Sequence, residues 1–234
     1  MTRPLGAHRT RMRALAREFP RQLIEGYRLG SETPVRWPKG KRGALVAGMG
    51  GSAIAADLLD GVLRPEFGWP ITTIRGAEIP KWPPDVPIVL VSYSGNTSET
   101  LGAYESARAT RARLVCVAAG GELARRADRD GHPNVRIPPG LPPRGALGWI
   151  LGVLIGLLDP ALPQTLSSRL VASAQRVDGR QREFASRHGG PAQLAHRVAD
   201  RIPTILAWSG DLPVARRWQT QVEENAKRAA RLEL

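Results

Sequence analysis

Dense apolar runs alternate along this chain with stretches of helical spacing. ALVAG (44–48) reads as a buried strand, and SAIAADLLDGVL (52–63) reads as a helix packed on it. PITTIRG (70–76) is the next strand and PIVLVS (87–92) another, followed by a helix from Thr97 to about Thr110. RLVCVAA (113–119) and the short NVRIP (134–138) are further strands, and a hydrophobic helix runs from about Arg144 to Leu158. Upstream, residues 11–28 carry helical spacing with a break near Pro20, and 31–43 form a Pro/Gly/Lys connection. Strands that alternate with helices predict a mostly parallel sheet with helices on both faces, a three-layer α/β architecture.

Pro160 and Pro163 mark a boundary. A helix-rich segment follows over roughly 165–200. PTILAWS (203–209) then reads as a new buried strand, and a helix runs from about Leu212 to the end. One strand and one helix cannot bury both faces of a sheet, so this second α/β unit is expected to be incomplete. The reading divides the chain into an N-terminal helical segment (1–38), a first α/β domain (39–158), and linker helices with the start of a second domain (159–234).

Composition narrows the class. With 234 residues and 42% hydrophobic content, the chain has material for a real core. The longest apolar stretch, Ala146–Leu158, is interrupted by glycines and too short to span a bilayer. The basic N-terminus MTRPLGAHRTRMR is followed by no signal-peptide apolar core, so a cytoplasmic location without membrane partners is expected. The lone Cys116, inside LVCVA, reads as a small core residue. Net charge is +13, yet the arginines are scattered and no zinc-finger or aromatic-basic RNA motif occurs. The charge therefore favours anionic ligands and predicts no specific nucleic-acid partner.

Two strand-to-helix turns carry candidate chemistry. GMGGSAIAADLL (48–59) supplies glycines that let the backbone turn and approach a ligand at a helix N-terminus. SYSGNTSET (92–100) places the hydroxyls of Ser92, Tyr93, Ser94 and Thr97 just past a strand. Ligands of parallel sheets bind at the C-terminal strand ends, so Gly51 and Ser52 of one turn and Ser92, Ser94 and Thr97 of the other could converge on one phosphate. N-capping alone would account for Ser94 or Thr97, but a cap needs one residue and leaves the rest of the run unexplained. Gly48, Gly50 and Ala53 also fit a dinucleotide fingerprint. That reading wants an acid at the end of the next strand and finds Arg75, which suits at best a 2′-phosphate.

GMGGSAIAADLL together with VSYSGNTSETL resembles the sugar isomerase (SIS) domain. More narrowly, the chain resembles the bifunctional phosphoglucose/phosphomannose isomerases. AREFPRQLIEGYRLG resembles their N-terminal helix, IPPGLPPRGALGWILGVL (137–154) their proline-arginine-alanine-leucine segment, and VARRWQTQVEENAK (214–227) the helix bearing their catalytic glutamate. The resemblance covers nearly the whole chain. It implies isomerisation of glucose 6-phosphate or mannose 6-phosphate to and from fructose 6-phosphate through an enediol(ate), without metal or nucleotide cofactor, in a homodimer. It further implies Glu224 as the proton-shuttling base, Arg144 near the enediolate oxygen, and Gly51, Ser52, Ser92, Ser94 and Thr97 holding the substrate, with Ser94 and Thr97 on the phosphate.

Helical spacing by itself treats two of these residues differently. Leu212, Ala215, Val222, Ala226 and Ala229 would form the apolar stripe of a last helix, leaving Glu224 beside Thr220 and Arg228 on a solvated face. Arg144 would be the exposed start of a hydrophobic helix. His8, His132, His188 and His196 fall in no motif and read as surface or packing residues. The chain also departs from the family: it ends in RAARLEL ten residues after Glu224, without the family's following asparagine-histidine pair or the rest of its second sheet. It thus reads as a C-terminally truncated isomerase, one completed by another copy or polypeptide, or a non-catalytic sugar-phosphate-binding SIS protein. An NADP reductase is the remaining enzyme reading.

Overall fold

A computed structural model describes residues 5–38, 43–110, 112–162, 164–185 and 189–234. Lys39, Lys41, Pro163 and His188 lie outside the described residues. The chain divides into two compact units, Met1–Ala174 and Gln175–Leu234. Among the described residues no helix is long and apolar enough to cross a membrane.

The first unit opens with two helices, α1 (Leu5–Arg17) and α2 (Phe19–Ser31), separated just ahead of Pro20. Five strands follow: β1 (Ala44–Gly48), β2 (Ile71–Ile74), β3 (Ile88–Ser92), β4 (Leu114–Ala118) and β5 (Asn134–Arg136). They form one all-parallel sheet in the order β2-β1-β3-β4-β5, with Leu45 opposite Ile88 and Leu90 opposite Cys116. The helices between them are α3 (Gly50–Phe67), α4 (Ser98–Ala109), α5 (Gly121–Asp130) and α6 (Leu147–Leu158). This is the doubly wound arrangement, whose chain order reverses at the neighbouring strands β1 and β3.

Strand alternation divides the core. Val46, Val89, Val91, Val115, Val117 and Val135 face one side and pack with α2, α3 and α6. Leu45, Ala47, Ile88, Leu90, Leu114 and Cys116 face the other and pack with α4 and α5. Sequence periodicity did not single out α5, because RRADRD leaves only Leu123, Ala124 and Ala127 to mark its buried face.

The glycines inside the apolar α6 have a packing purpose. A methyl group at Gly152 would lie 2.3 Å from the Leu23 carbonyl oxygen, and one at Gly156 would lie 2.2 Å from that of Tyr27. On α2, a methyl at Gly26 would meet the Trp149 carbonyl oxygen at 2.5 Å, and one at Gly30 that of Val153 at 2.3 Å. The two helices touch backbone to backbone, and only glycine leaves that room.

α7 (Ser167–Phe184) carries the boundary between the units. The second unit continues with α8 (Gly190–Val198), β6 (Thr204–Leu206), α9 (Leu212–Gln221) and β7 (Arg231–Glu233). Two expectations are corrected here. The strand within PTILAWS is not buried: Leu206 is 74% exposed and Trp208 beyond it 85%. The last helix does not run to the end either. It stops at Gln221, opens into a wider π turn over Val222–Ala226, and reverses at Lys227, whose φ of 55° is left-handed. The chain then pairs as β7 in parallel with β6, the Arg231 N–H donating to the Pro203 carbonyl at 2.8 Å. Backbone hydrogen bonds to an otherwise open strand compete with continued helix, and RAARLEL supplies them.

Candidate functional site

The candidate residues of the first unit gather at the C-terminal ends of β1, β3 and β5. β1 ends at Gly48, so Gly51 and Ser52 stand in the first turn of α3 rather than on the strand. A methyl on Gly48 would meet the Val91 carbonyl oxygen at 2.8 Å and Ser52 Cβ at 3.1 Å, which puts the buried Ser52 over the junction of β1 and β3. Met49 precedes α3 in extended conformation and gives it no side-chain cap, leaving first-turn N–H groups for an anion.

In the β3–α4 loop the hydroxyls divide their labour. Ser92, the last residue of β3, is 2% exposed. Its Oγ accepts the Gly95 N–H at 3.1 Å and lies 2.9 Å from Thr97 Oγ1. Thr97 precedes α4 in extended conformation yet makes no side-chain cap to it. Capping therefore does not explain this threonine. Ser94 is exposed, and its Oγ accepts the Asn96 N–H at 3.2 Å in a local turn. Glu99, in the first turn of α4, is held below the ordinary carboxylate range by its own backbone N–H and then by the Ser98 hydroxyl.

Two residues of the run have roles that sequence reasoning missed. Asn96 caps a different helix, its Oδ1 accepting the Glu122 N–H of α5 at 2.9 Å. Tyr93 is 8% exposed, and its hydroxyl donates to the Pro138 carbonyl at 3.0 Å while accepting the Leu141 N–H at 2.7 Å. The loop also leans on the turn after β4: Gly95 has φ +69°, and a methyl there would lie 1.8 Å from the Gly120 carbonyl oxygen. Gly120-Gly121 after the apolar run LVCVAA repeats the strand-glycine-helix signature of GMGGSA, and that repeat was the available signal.

Arg144 occupies a 3-10 turn, Pro143–Gly145, just before α6 and is half-buried rather than exposed. The turn faces the start of α3, since a methyl on Gly51 would lie 3.5 Å from the Pro143 carbonyl oxygen. The first unit thus brings together Gly51, Ser52, Ser92, Ser94, Thr97 and the Arg144 turn. Glu224 belongs to the second unit, in the exposed π turn. It does not stand on a regular helical face, and Arg228 approaches Asp200 at 3.7 Å.

Other sequence candidates take structural roles. Arg75 is ion-paired with Asp57 of α3, which occupies the guanidinium that a 2′-phosphate would need. His132 is half-buried, packed edge-on against Tyr104 at 6.0 Å, and burial lowers its pKa. No group of acidic, histidine and cysteine side chains able to hold a metal ion occurs among the described residues.

No protein-family profile matches the chain. A bifunctional phosphoglucose/phosphomannose isomerase from Caldicellulosiruptor bescii is 32% identical over 221 residues, covering 91% of this chain and 65% of its own length. A D-glucosamine-6-phosphate 4-epimerase from Sulfolobus acidocaldarius is 33% identical over 141 residues, covering 60% of this chain and 44% of the relative. Among solved structures, the tagatose-6-phosphate ketose/aldose isomerase from Escherichia coli superposes with a TM-score of 0.65 at 16% identity, covering 94% of this chain and 65% of that one. The chain spans less than two thirds of the length of these proteins. It is a sequence relative of the bifunctional phosphoglucose/phosphomannose isomerases, with the SIS-type α/β fold in its first unit.

Proposed function

We propose that this chain interconverts aldose and ketose 6-phosphates, taking glucose 6-phosphate or mannose 6-phosphate to and from fructose 6-phosphate. The observation that carries the reading is the convergence of three turns at the β1/β3 reversal: the uncapped start of α3, the Ser92–Thr97 loop, and the Arg144 turn facing Gly51. Ser94 and Thr97, with the first-turn amides of α4, hold the phosphate dianion, and Gly51, Ser52 and Ser92 shape the wall beneath the sugar. With the open-chain sugar bound, Glu224 takes the proton from C2 of the aldose. The electron pair moves into the C1–C2 bond, and charge develops on the carbonyl oxygen. Arg144 donates to that oxygen; the hydroxyl proton of O2 then passes to O1, and Glu224 returns its proton to C1, so that C1 carries the hydroxyl and C2 the carbonyl of the ketose.

The assembly proposed with this activity is a homodimer. The second unit leaves Trp218 and Phe184 more than 40% exposed beside an apolar groove of about 880 Å³, the surface that a second copy would cover. Sedimentation giving a monomer at micromolar concentration would remove that part of the proposal.

A second reading is sugar-phosphate binding without turnover. It is favoured by one observation: every phosphate residue lies in the first unit, whereas Glu224 lies in the second. Purified protein mixed with fructose 6-phosphate separates the two. Appearance of glucose 6-phosphate and mannose 6-phosphate, abolished by Glu224→Gln, supports isomerisation. Calorimetric binding without either product leaves the binder, and no binding at millimolar concentration overturns both.

A further inference from the structure

We infer that Tyr93 is a positioning residue that ties the phosphate loop to the Arg144 turn, and so sets the span between the phosphate and the reacting carbons. The inference rests on the sugar-phosphate reading above and adds a residue to it. Tyr93 stands between Ser92 and Ser94 in sequence, so its backbone belongs to the phosphate loop. Its carbonyl accepts the Ala119 N–H at 3.0 Å, which fixes that backbone against the end of β4.

The other end of the side chain fixes the second loop. Residues 137–142 read IPPGLP, so only Ile137, Gly140 and Leu141 have an N–H to donate. The Ile137 N–H goes to the Ala118 carbonyl at 3.0 Å, in continuation of the sheet. The Leu141 N–H goes to the Tyr93 hydroxyl, which in turn donates to the Pro138 carbonyl. The phenol thus replaces the backbone hydrogen bonds that this proline-rich stretch cannot make for itself. Arg144 follows three residues after Leu141, once the chain has turned through the Gly145 N–H bond to the Pro142 carbonyl at 2.8 Å.

At 8% exposure, with its donor and one acceptor position engaged by the protein, the hydroxyl serves substrate through the two loops. Burial raises its pKa, so it stays protonated and able to donate.

Tyr93→Phe removes one oxygen and both of these bonds. The test compares calorimetric affinities for inorganic phosphate and fructose 6-phosphate in wild type, Tyr93→Phe and Tyr27→Phe. The last removes a hydroxyl bonded to Asp159 at 2.6 Å, away from both loops. Tyr93→Phe is expected to bind inorganic phosphate within about twofold of wild type. It should lose roughly tenfold or more of the preference for fructose 6-phosphate over phosphate, about 1.4 kcal/mol in differential binding. Tyr27→Phe should keep that preference.

An undiminished preference in Tyr93→Phe overturns the inference and leaves the functional reading intact. Equal losses for both ligands, or a variant without native near-ultraviolet circular dichroism, make Tyr93 a stability residue and overturn the inference as well. A wild-type protein that binds neither ligand defeats the functional reading, and the inference with it.

Discussion

Ser92 Oγ and Thr97 Oγ1 lie 2.9 Å apart, closing the strand-to-helix loop across five residues. The two hydroxyls are hydrogen-bonded directly, and Ser92 Oγ also accepts the Gly95 N–H at 3.1 Å. The Gly95 N–H also donates to the Ser92 carbonyl at 3.0 Å, so Ser92→Ala removes one of its two acceptors and should cost about 0.5–1.5 kcal/mol in urea unfolding. Thr97→Val in the Ser92→Ala background should cost less than Thr97→Val alone, with a coupling of about 0.5–3 kcal/mol. Strictly additive losses would mean that the two hydroxyls act separately.

Gly95 and Gly50 share a left-handed backbone but not their surroundings. Gly95 has φ +69° with the Gly120 carbonyl oxygen 1.8 Å from where a methyl would sit, whereas Gly50 has φ +51° and nothing within 4 Å. Gly50→Ala should lose about 1–2 kcal/mol from backbone conformation alone. Gly95→Ala must also push the β3–α4 and β4–α5 loops apart, and about 4 kcal/mol or more is expected. Chemical denaturation of both variants measures the difference, and equal losses would contradict the close packing of the two loops.

Two helix glycines give opposite expectations. Gly152→Ala would force a methyl to 2.3 Å from the Leu23 carbonyl oxygen and 2.8 Å from the Tyr27 nitrogen, separating α2 from α6. A loss of about 3 kcal/mol is expected. Gly179, on an exposed face of α7, has nothing within 4 Å, so Gly179→Ala should gain about 0.5–1 kcal/mol in helix propensity. Thermal melts that shift in the same direction for both variants would refute the assignment.

Residue pattern carries the parallel sheet because each strand buried on both faces is a short run without polar interruption, as in PIVLV and LVCVA. Most of the candidate site was legible for a related reason: glycines and hydroxyls clustered directly after such runs have little to do in a core. Contacts between loops distant in sequence were not legible. Asn96 capping α5 and Tyr93 bridging to Pro138 and Leu141 depend on which strand ends become neighbours, and no local pattern records that. The second unit misled the reading differently. PTILAWS has the composition of a buried strand, yet β6 pairs on one side only and stays exposed. The helical wheel carried past Gln221 could not register the competing strand pairing of RAARLEL.

Alkaline stability should report on Cys116. Burial above all, with Asp128 and Asp130 adding to it, pushes its thiol up to about 12. An unfolded thiol titrates near ~8.5, so above that pH the unfolded chain releases a proton that the folded chain retains. The stability associated with the protonated thiol is therefore fully present below pH ~8.5 and drains away as pH climbs toward the folded value, by at most about 1.4 kcal/mol per pH unit. Tyr104 contributes with the same sign, its phenol raised first by burial and then by its hydrogen bond to Asp130. Urea midpoints for wild type and Cys116→Ala between pH 7.5 and 10.5 test this. The alanine variant should be less stable below pH ~8.5 from lost packing, and its shallower decline above that pH should bring the two curves together. Parallel curves would show that Cys116 stays protonated in both states or ionises in both.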